Sequence, residues 1–172
     1  MIYLPNDKDK PSKKSKVNLE NSPDSEKFEK CLDDLTKYVR DGINNETEFQ
    51  KSFMFFSDIS KKTKYQTKIV DSSIILIKMK EFLCRPTSNP DITIECAKII
   101  LNLSKNRNSQ IKMLSETVLS FNDLFYILLV NLNTNLTFYL LTTFACLTES
   151  SEILSIVQRV KKDALLKDVI IE

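Results

Sequence analysis

The chain has 172 residues, of which 42% are hydrophobic and 28% are charged, and this composition is typical of a globular protein of about one domain. Its 25 basic and 23 acidic residues give a formal net charge of +2, which is too balanced to indicate nucleic-acid binding by itself. One glycine and no tryptophan argue against a β-rich fold, because tight hairpins need residues that tolerate positive φ.

The sequence predicts an intracellular, soluble protein. Its first ten residues lack the apolar core of a signal peptide, and no apolar run approaches the roughly 20 residues that span a bilayer. Cys31, Cys84, Cys96 and Cys146 are widely separated, and we interpret them as buried free thiols in a reducing compartment. We therefore expect a cytoplasmic location, with the nucleus as the alternative, and no contact with a membrane.

Residues 1–24 are predicted to form a disordered polar tail, and residues 25–172 are predicted to form the folded domain. The tail is rich in lysine and proline and can bury too little apolar surface to offset the entropy of ordering. Its KPSKKSK stretch resembles a nuclear localisation signal, but short basic clusters of this kind also occur in solubilising tails.

Helical periodicity recurs along the folded part. Apolar residues between Phe28 and Val39 recur at three- and four-residue steps, and Gly42 follows as a natural helix terminator. Asn89 and Asn133 are predicted N-caps, because their side chains accept hydrogen bonds from first-turn amides. Further helices are predicted over residues 46–60, 63–70, 72–84, 90–104, 107–115, 120–132, 134–149, 150–159 and 161–171.

The strongest pattern is an internal repeat of 44 residues. It relates the regions that contain FFSDIS, IILNLS and FACLTE, and a shift of 44 residues places Ile59, Leu103 and Leu147 at one position. A period of about 40–47 residues is typical of helical solenoids, in which each unit buries its apolar face against its neighbours. The sequence therefore predicts an all-α fold of stacked helical units.

The stretch DITIECAKIILNLSKNRNSQIKMLSE resembles the third helix of an armadillo repeat followed by the short first helix of the next repeat. The shared features are a capped helix with the small Ala97 near its middle, a Leu-Asn-Leu-Ser stretch and a polar turn. The resemblance covers residues 46–171. It implies a right-handed superhelical solenoid of armadillo-like repeats, whose third helices line a concave groove.

The resemblance also implies a binding surface. In armadillo proteins the asparagine of the third helix hydrogen-bonds the backbone of an extended peptide, and Asn102 matches this position. An amide supplies both a donor and an acceptor, which suits both polar groups of a peptide unit. The equivalent positions in the neighbouring repeats hold Asp58 and Cys146, so no asparagine ladder exists here. The protein-binding candidates are Asn102, Lys98, Glu95, Asn106, Asp58 and Thr142.

No catalytic site, metal site or cofactor is predicted. The sequence has no histidine, so neither a histidine-dependent triad nor a histidine-bearing zinc site can be built. Its single glycine excludes the glycine-rich phosphate loops. We therefore expect a non-catalytic adaptor or scaffold that binds another protein or peptide and has no small-molecule substrate.

Two alternatives stay open. The first is a short isoform or structural fragment of a larger armadillo-repeat protein, for which a ciliary or flagellar parent is a guess from the breadth of the family. The second is a nucleic-acid-binding helical repeat. Its only support is a lysine cluster that consists of Lys61, Lys62, Lys64 and Lys68.

A last expectation concerns the C-terminal end. Aligned by the repeat, the last two predicted helices lack the third helix that would cover them. This leaves an apolar face that is predicted to self-associate or to dock a partner, because solenoids normally end in a repeat with a polar outer face. The face consists of Leu165, Leu166, Val169 and Ile170.

Overall fold

The computed structural model describes residues 22–42, 45–85, 89–115, 121–130 and 133–149. In these ranges the chain forms eight α-helices and no strand, which confirms the predicted all-α class for this part. For each helix predicted between residues 46 and 149, both ends lie within two residues of the ends of an observed helix. The helices are α1 (Pro23–Arg40), α2 (Glu46–Ile59), α3 (Thr63–Asp71), α4 (Ser73–Cys84), α5 (Pro90–Ser104), α6 (Arg107–Ser115), α7 (Phe121–Val130) and α8 (Thr134–Thr148).

Some predictions lie outside the described residues. They are residues 1–21 of the predicted tail, the two helices predicted after residue 149, and the apolar face that these helices would carry. That face consists of Leu165, Leu166, Val169 and Ile170. On the N-terminal side, α1 begins at Pro23, two residues before the predicted start of the domain.

Helix α1 begins and ends where local chemistry dictates. Pro23 occupies the first turn, where a missing N–H leaves no helical hydrogen bond unmade. Acidic residues in its first turn and basic residues in its last turn complement the helix dipole. Gly42 follows the C-cap with φ of 65°, a left-handed conformation that glycine adopts without steric cost. The inward face buries Phe28 and Leu35.

Asparagines spaced 44 residues apart begin three of the helices. Asn45, Asn89 and Asn133 are the N-caps of α2, α5 and α8, and each side chain accepts a hydrogen bond from a first-turn amide at 3.0 to 3.3 Å. The predictions for Asn89 and Asn133 are confirmed. Asn45 was not predicted as a cap, although it lies at the same position of the 44-residue period.

Helices at equivalent positions lie beside one another. Helices α2, α5 and α8 pack in one row with α5 in the middle, and α1, α4 and α7 pack in a second row. Helix α3 packs against α6, and contacts between α4 and α5 and between α7 and α8 join the two rows. The core between the rows contains fully buried side chains, among them Phe53, Phe56, Leu83, Ile100 and Leu103.

A buried glutamine connects α3 to the ends of two neighbouring helices. Gln66 Nε2 donates to the carbonyl oxygen of Ser60 at 2.8 Å and to that of Asn102 at 3.1 Å. The last carbonyl groups of a helix have no partner within that helix, so an external donor is needed where they are buried. Gln66 therefore ties the end of α2 to the end of α5.

The same device recurs 44 residues later. Gln110 Nε2 donates to the carbonyl oxygen of Ser104 and, at 3.3 Å, to that of Cys146. The hydroxyl groups of Ser60, Ser104 and Thr148 also donate to the carbonyl three residues earlier, at 2.7, 2.8 and 3.0 Å. The 44-residue period of the sequence is therefore also a period of hydrogen bonds.

The cysteines differ from the prediction in part. All four are free, but only Cys96 is buried, and the other three are half-buried. Cys31 and Cys84 lie at the edge of the core, where part of each side chain faces solvent. Burial raises the pKa of the Cys96 thiol well above its usual value, so this group stays protonated and unreactive at neutral pH.

Candidate functional site

A cleft of about 390 Å³ lies over the exposed faces of α2 and α5, and we call it the α2–α5 cleft. Residues on one helix face recur at three- and four-residue steps, and Glu95, Lys98 and Asn102 of α5 follow this rule. Asp58 contributes from the neighbouring α2. The cleft therefore brings together four of the six residues that the sequence singled out.

A second cleft of about 310 Å³ adjoins the first. The two share Lys61, Asn102 and Lys105, and the second also contains the predicted residue Asn106. Thr142 lines neither cleft. Five of the six predicted residues thus lie along one surface that runs over α2 and α5.

Asn102 is half-buried between α5 and the end of α2. Its Nδ2 donates to Ser60 Oγ at 2.9 Å and approaches the carbonyl oxygen of Ser57 at 3.5 Å. Its Oδ1 accepts no hydrogen bond from the described residues. The amide donor is therefore used inside the protein, whereas the amide acceptor is available to a partner that carries an N–H group.

Lys98 and Glu95 form an ion pair on the wall of the cleft. Lys98 Nζ donates to Glu95 Oε1 at 2.7 Å, and this hydrogen bond raises the pKa of Lys98 above its ordinary value. The same Nζ lies 5.9 Å from the ring centre of Tyr139, within the range of a cation–π contact. Tyr139 of α8 therefore helps to position a lysine of α5.

The other charges of the cleft come from α2 and from the turns after α2 and α5. Lys61 Nζ donates to Asp58 Oδ1 at 2.9 Å. Lys105 is exposed and forms no ion pair with a described residue. Because Lys61 and Lys98 are each paired with a carboxylate, Lys105 gives the cleft an excess of one positive charge.

The remaining two predicted residues have contacts within the protein. Asn106 Oδ1 accepts from the backbone N–H of Asn108 at 3.0 Å and of Ser109 at 3.3 Å, which orders the first turn of α6. Thr142 Oγ1 donates to the carbonyl oxygen of Phe138 at 2.8 Å, on its own helix. These contacts hold both side chains within the protein and do not orient either of them toward a partner.

The lysine cluster that supported nucleic-acid binding is largely paired. Lys62 Nζ lies 2.5 Å from Asp24 Oδ2, and Lys68 Nζ lies 2.9 Å from Glu29 Oε1. Lys61 is paired within the cleft, and Lys64 Nζ lies 4.6 Å from the ring centre of Tyr65. A nucleic-acid surface needs positive charge that is free to contact phosphates, and three of these four lysines already contact carboxylates.

Six residues of the cleft are not among the protein-binding candidates predicted from the sequence: Met54, Ser57, Lys61, Leu101, Lys105 and Tyr139. Met54 has 51% of its surface exposed and occupies the position of α2 that corresponds to Lys98 of α5. The repeat alignment therefore contained a signal for Met54. Lys105 and Tyr139 had no such signal, because their place in the cleft depends on how α5 packs against α2 and α8.

Other kinds of site find no support in the part of the chain that the structure describes. There, no three acidic or cysteine side chains cluster in a way that could hold a metal ion. None of the described helices is long and apolar enough to cross a membrane. No family model, curated protein or solved structure matches the chain. Function is therefore inferred from the cleft itself.

Proposed function

We propose that the protein is a non-catalytic adaptor or scaffold that binds a segment of another protein in the α2–α5 cleft. The observation that carries this proposal is the gathering of four predicted binding residues on the exposed faces of two adjacent helices. The cleft offers apolar surface, both signs of charge and an amide, which is the mixed chemistry of a protein contact. The proposal involves neither a cofactor nor a small-molecule substrate. It places the protein inside the cell.

The proposed architecture is a right-handed superhelical solenoid of armadillo-like repeats. The 44-residue spacing of the N-cap asparagines and of Gln66 and Gln110 supports stacked equivalent units. The row of α2, α5 and α8 would then be formed by the third helices of successive units. In such a stack, a partner segment crosses the exposed faces of neighbouring third helices, which is where the cleft lies.

The chemistry of the cleft favours an extended segment that carries an acidic side chain. Asn102 Oδ1 can accept a backbone N–H from such a segment without losing its bond to Ser60. Lys105 can pair with a carboxylate, because no described carboxylate already neutralises it. Met54 and Tyr139 supply apolar contact on either side of these polar groups.

Charge reversal in the cleft tests the proposal. Lys105→Glu reverses the charge of the cleft lysine that forms no ion pair with a described residue, and Lys64→Glu makes the same change outside the cleft as the matched control. The wild type and Lys64→Glu should both retain a partner in affinity capture. A photo-reactive side chain at position 54 should cross-link to the same partner. We expect Lys105→Glu to lose both the capture and the cross-link, and equal retention by both variants would contradict the proposal.

The nucleic-acid alternative is distinguished by salt. Binding that rests on phosphate contacts weakens steeply as salt rises, with the logarithm of the affinity falling linearly with the logarithm of the salt concentration. A cleft that relies on one unpaired lysine should show a shallow dependence. A steep dependence, together with loss of binding in Lys64→Glu, would favour nucleic acid over a protein segment.

Self-association near the C-terminal end is a separate proposal that does not depend on the cleft. Its specific observation is the exposure of large apolar side chains on α7 and α8, and exposed apolar patches commonly mark interaction sites. These side chains are Phe125, Tyr126, Leu129, Phe138 and Leu141, each at least 51% exposed.

A further inference from the structure

The second cleft lies where α3 begins, next to the α2–α5 cleft. Its volume is about 310 Å³, and its walls come from the start of α3 and from the ends of α2 and α5 with the turns that follow them. The lining residues are Lys61, Thr63, Gln66, Asn102, Lys105 and Asn106. None of them is apolar, whereas the α2–α5 cleft also contains Met54, Leu101 and Tyr139. The second cleft is therefore the polar part of the surface proposed to bind a partner.

The first turn of α3 has no side-chain cap. Lys62 holds the N-cap position, but a lysine side chain has no acceptor, and its Nζ contacts Asp24 instead. The equivalent residue 44 positions later is Asn106, whose Oδ1 caps the first turn of α6. No described side chain replaces this cap at α3, so the backbone N–H groups of Thr63 and Lys64 are open to a ligand.

One positive charge of the second cleft has no ion-pair partner among the described residues. Lys61 Nζ is paired with Asp58 Oδ1, whereas Lys105 forms no such pair. An open helix N-terminus also attracts an anion, because its N–H groups and the helix dipole both favour negative charge. An excess of a single charge matches a carboxylate, whereas a phosphate group would bring about 1.5 to 2 negative charges at neutral pH.

The same surface contains two hydrogen-bond acceptors without a donor. Gln66 lines the second cleft and is only 5% exposed, and its Oε1 has no hydrogen-bond partner among the described residues. Asn102 lines both clefts, and its Oδ1 accepts no hydrogen bond from the described residues. A buried acceptor without a donor is costly. A ligand that carries an N–H group beside its carboxylate therefore fits this surface better than a bare anion.

We propose that the second cleft binds the carboxyl terminus of the partner chain. A terminal residue carries its carboxylate and its backbone N–H on the same Cα. The carboxylate can contact Lys105 and the first turn of α3, while the N–H donates to Asn102 Oδ1. Asn102 and Lys105 lie three residues apart on one face at the end of α5, which brings these contacts together. The preceding residues of the partner then lie in the α2–α5 cleft, against Met54 and Tyr139.

A chain end fits this place better than an internal acidic residue. Thr63 and Gln66 line the second cleft but not the α2–α5 cleft, so α3 stands in the path of a chain that continues past Asn102. An internal aspartate or glutamate needs room for the chain on both sides of it. The inference rests on the proposed binding of a protein segment in the α2–α5 cleft, and it refines that proposal by assigning the contact with Lys105 to the terminal carboxylate.

Short peptides with free carboxyl termini, selected on the full chain from a random library, provide the probe. Amidation of the carboxyl end of a selected peptide should raise its dissociation constant about tenfold or more, because charged hydrogen bonds are lost. In Lys105→Gln the free and the amidated peptide should bind almost equally, since the lysine that distinguishes them is gone. In Lys64→Gln, which changes a lysine side chain outside both clefts, the difference should remain.

A cap introduced at α3 provides the second test. Lys62→Asn gives α3 the cap that Asn106 gives α6, and the new side chain occupies the open N–H groups from within the protein. Lys62→Ala removes the same lysine without adding a cap. Lys62→Asn should melt at a higher temperature than Lys62→Ala, yet it should bind the free-carboxylate peptide about fivefold more weakly. Lys62→Ala should bind this peptide like the wild type.

The outcomes separate the inference from the proposed function. Equal affinities of the wild type for the free and the amidated peptides would overturn recognition of a chain end. If those peptides still cross-linked to a photo-reactive side chain at position 54, binding in the α2–α5 cleft would stand. Unweakened binding by Lys62→Asn would overturn the second cleft as the place of the carboxylate. A selection that yields no peptide cross-linking at position 54 would contradict both the inference and the proposed function.

Discussion

Glu48, Ile92 and Leu136 hold the same position on three adjacent helices, yet only the first of them is charged. Ile92 and Leu136 are buried, whereas the side chain of Glu48 keeps 37% of its surface in contact with solvent and pairs with Lys51. Helix α1 packs against both α2 and α4. The α2 end of the row is therefore compatible with water.

The α8 end has the opposite character. Leu141 is largely exposed at the position where Phe53 and Ala97 are buried, and α8 offers no charged side chain around it. Stacked units bury apolar surface only against their neighbours, so a polar end closes a stack and an apolar end needs a cover. Among the described residues, the row therefore has a charged, solvated face at α2 and an exposed, uncharged face at α8.

The largest effect on stability is expected in α5, which lies between the two ends of the row. Leu103 is completely buried in α5, which packs against both α2 and α8. Leu103→Ala should lower the free energy of unfolding by about 2–5 kcal/mol, because it removes buried methyl groups and leaves a cavity. Urea denaturation measures this value. Lys98→Ala on the same helix is the control, with an expected change within about 0.5 kcal/mol, and equal losses would contradict the assigned helix phase.

An intermediate effect is expected at the glutamines that join successive units. Gln110→Leu should lower the free energy of unfolding by about 1–3 kcal/mol, because it leaves the carbonyl groups of Ser104 and Cys146 without this donor. Gln66→Leu should lower the free energy of unfolding by a smaller amount. Gln66 Oε1 is buried without a hydrogen-bond partner, so this substitution also removes an unsatisfied acceptor. Urea denaturation of both variants tests the order, and a larger loss for Gln66→Leu would contradict it.

Most of the helix boundaries could be predicted because their signals are local. Apolar periodicity defined the helices, and Asn89 and Asn133 marked two of their starts. The role of Gln66 and Gln110 could not be predicted in this way. Their identity at a spacing of 44 residues is visible in the sequence, but the carbonyl groups that they bind belong to the ends of other helices.

The candidate site was predictable to a similar degree. Helical phase was enough to group Glu95, Lys98 and Asn102, because residues at these spacings share one face of α5. It did not predict that Asn102 uses its donor on Ser60, since that contact depends on the distance between α5 and α2. It also could not place Tyr139, which enters the cleft only because α8 packs against α5.

A smaller effect is expected at the apolar end of the row. Leu141→Ala should change the free energy of unfolding by less than about 0.5 kcal/mol when the protein is dilute enough to be monomeric, because the side chain is exposed there. Leu140→Ala is the matched control. The side chain of Leu140 is completely buried, so its truncation should lower the free energy of unfolding by about 2–5 kcal/mol. Similar losses for both would mean that Leu141 is already covered within one chain, which would remove the contrast between the α2 and α8 ends of the described row.

The smallest effect is expected from an ion pair at the polar end. Lys62 donates a hydrogen bond to Asp24, which ties α1 to the start of α3, lowers the pKa of Asp24 and raises the pKa of Lys62. A lowered carboxyl pKa gives stability that is present above the unfolded-state value and is lost as pH falls through the folded-state value. A raised lysine pKa gives stability that is present below its unfolded-state value and is lost as pH rises through the folded-state value.

The contribution of this pair should therefore be constant around neutral pH and should disappear in acid. Asp24→Asn is expected to lower the urea midpoint slightly at pH 7 in low salt, and to match the wild type at a pH below the lowered pKa of Asp24. Both side chains are substantially exposed, at 53% and 39%, so added salt should also shrink the difference by screening. A difference that persists in acid and in high salt would show that Asp24 acts through packing or helix capping, and that charge is not what holds α1 at this end.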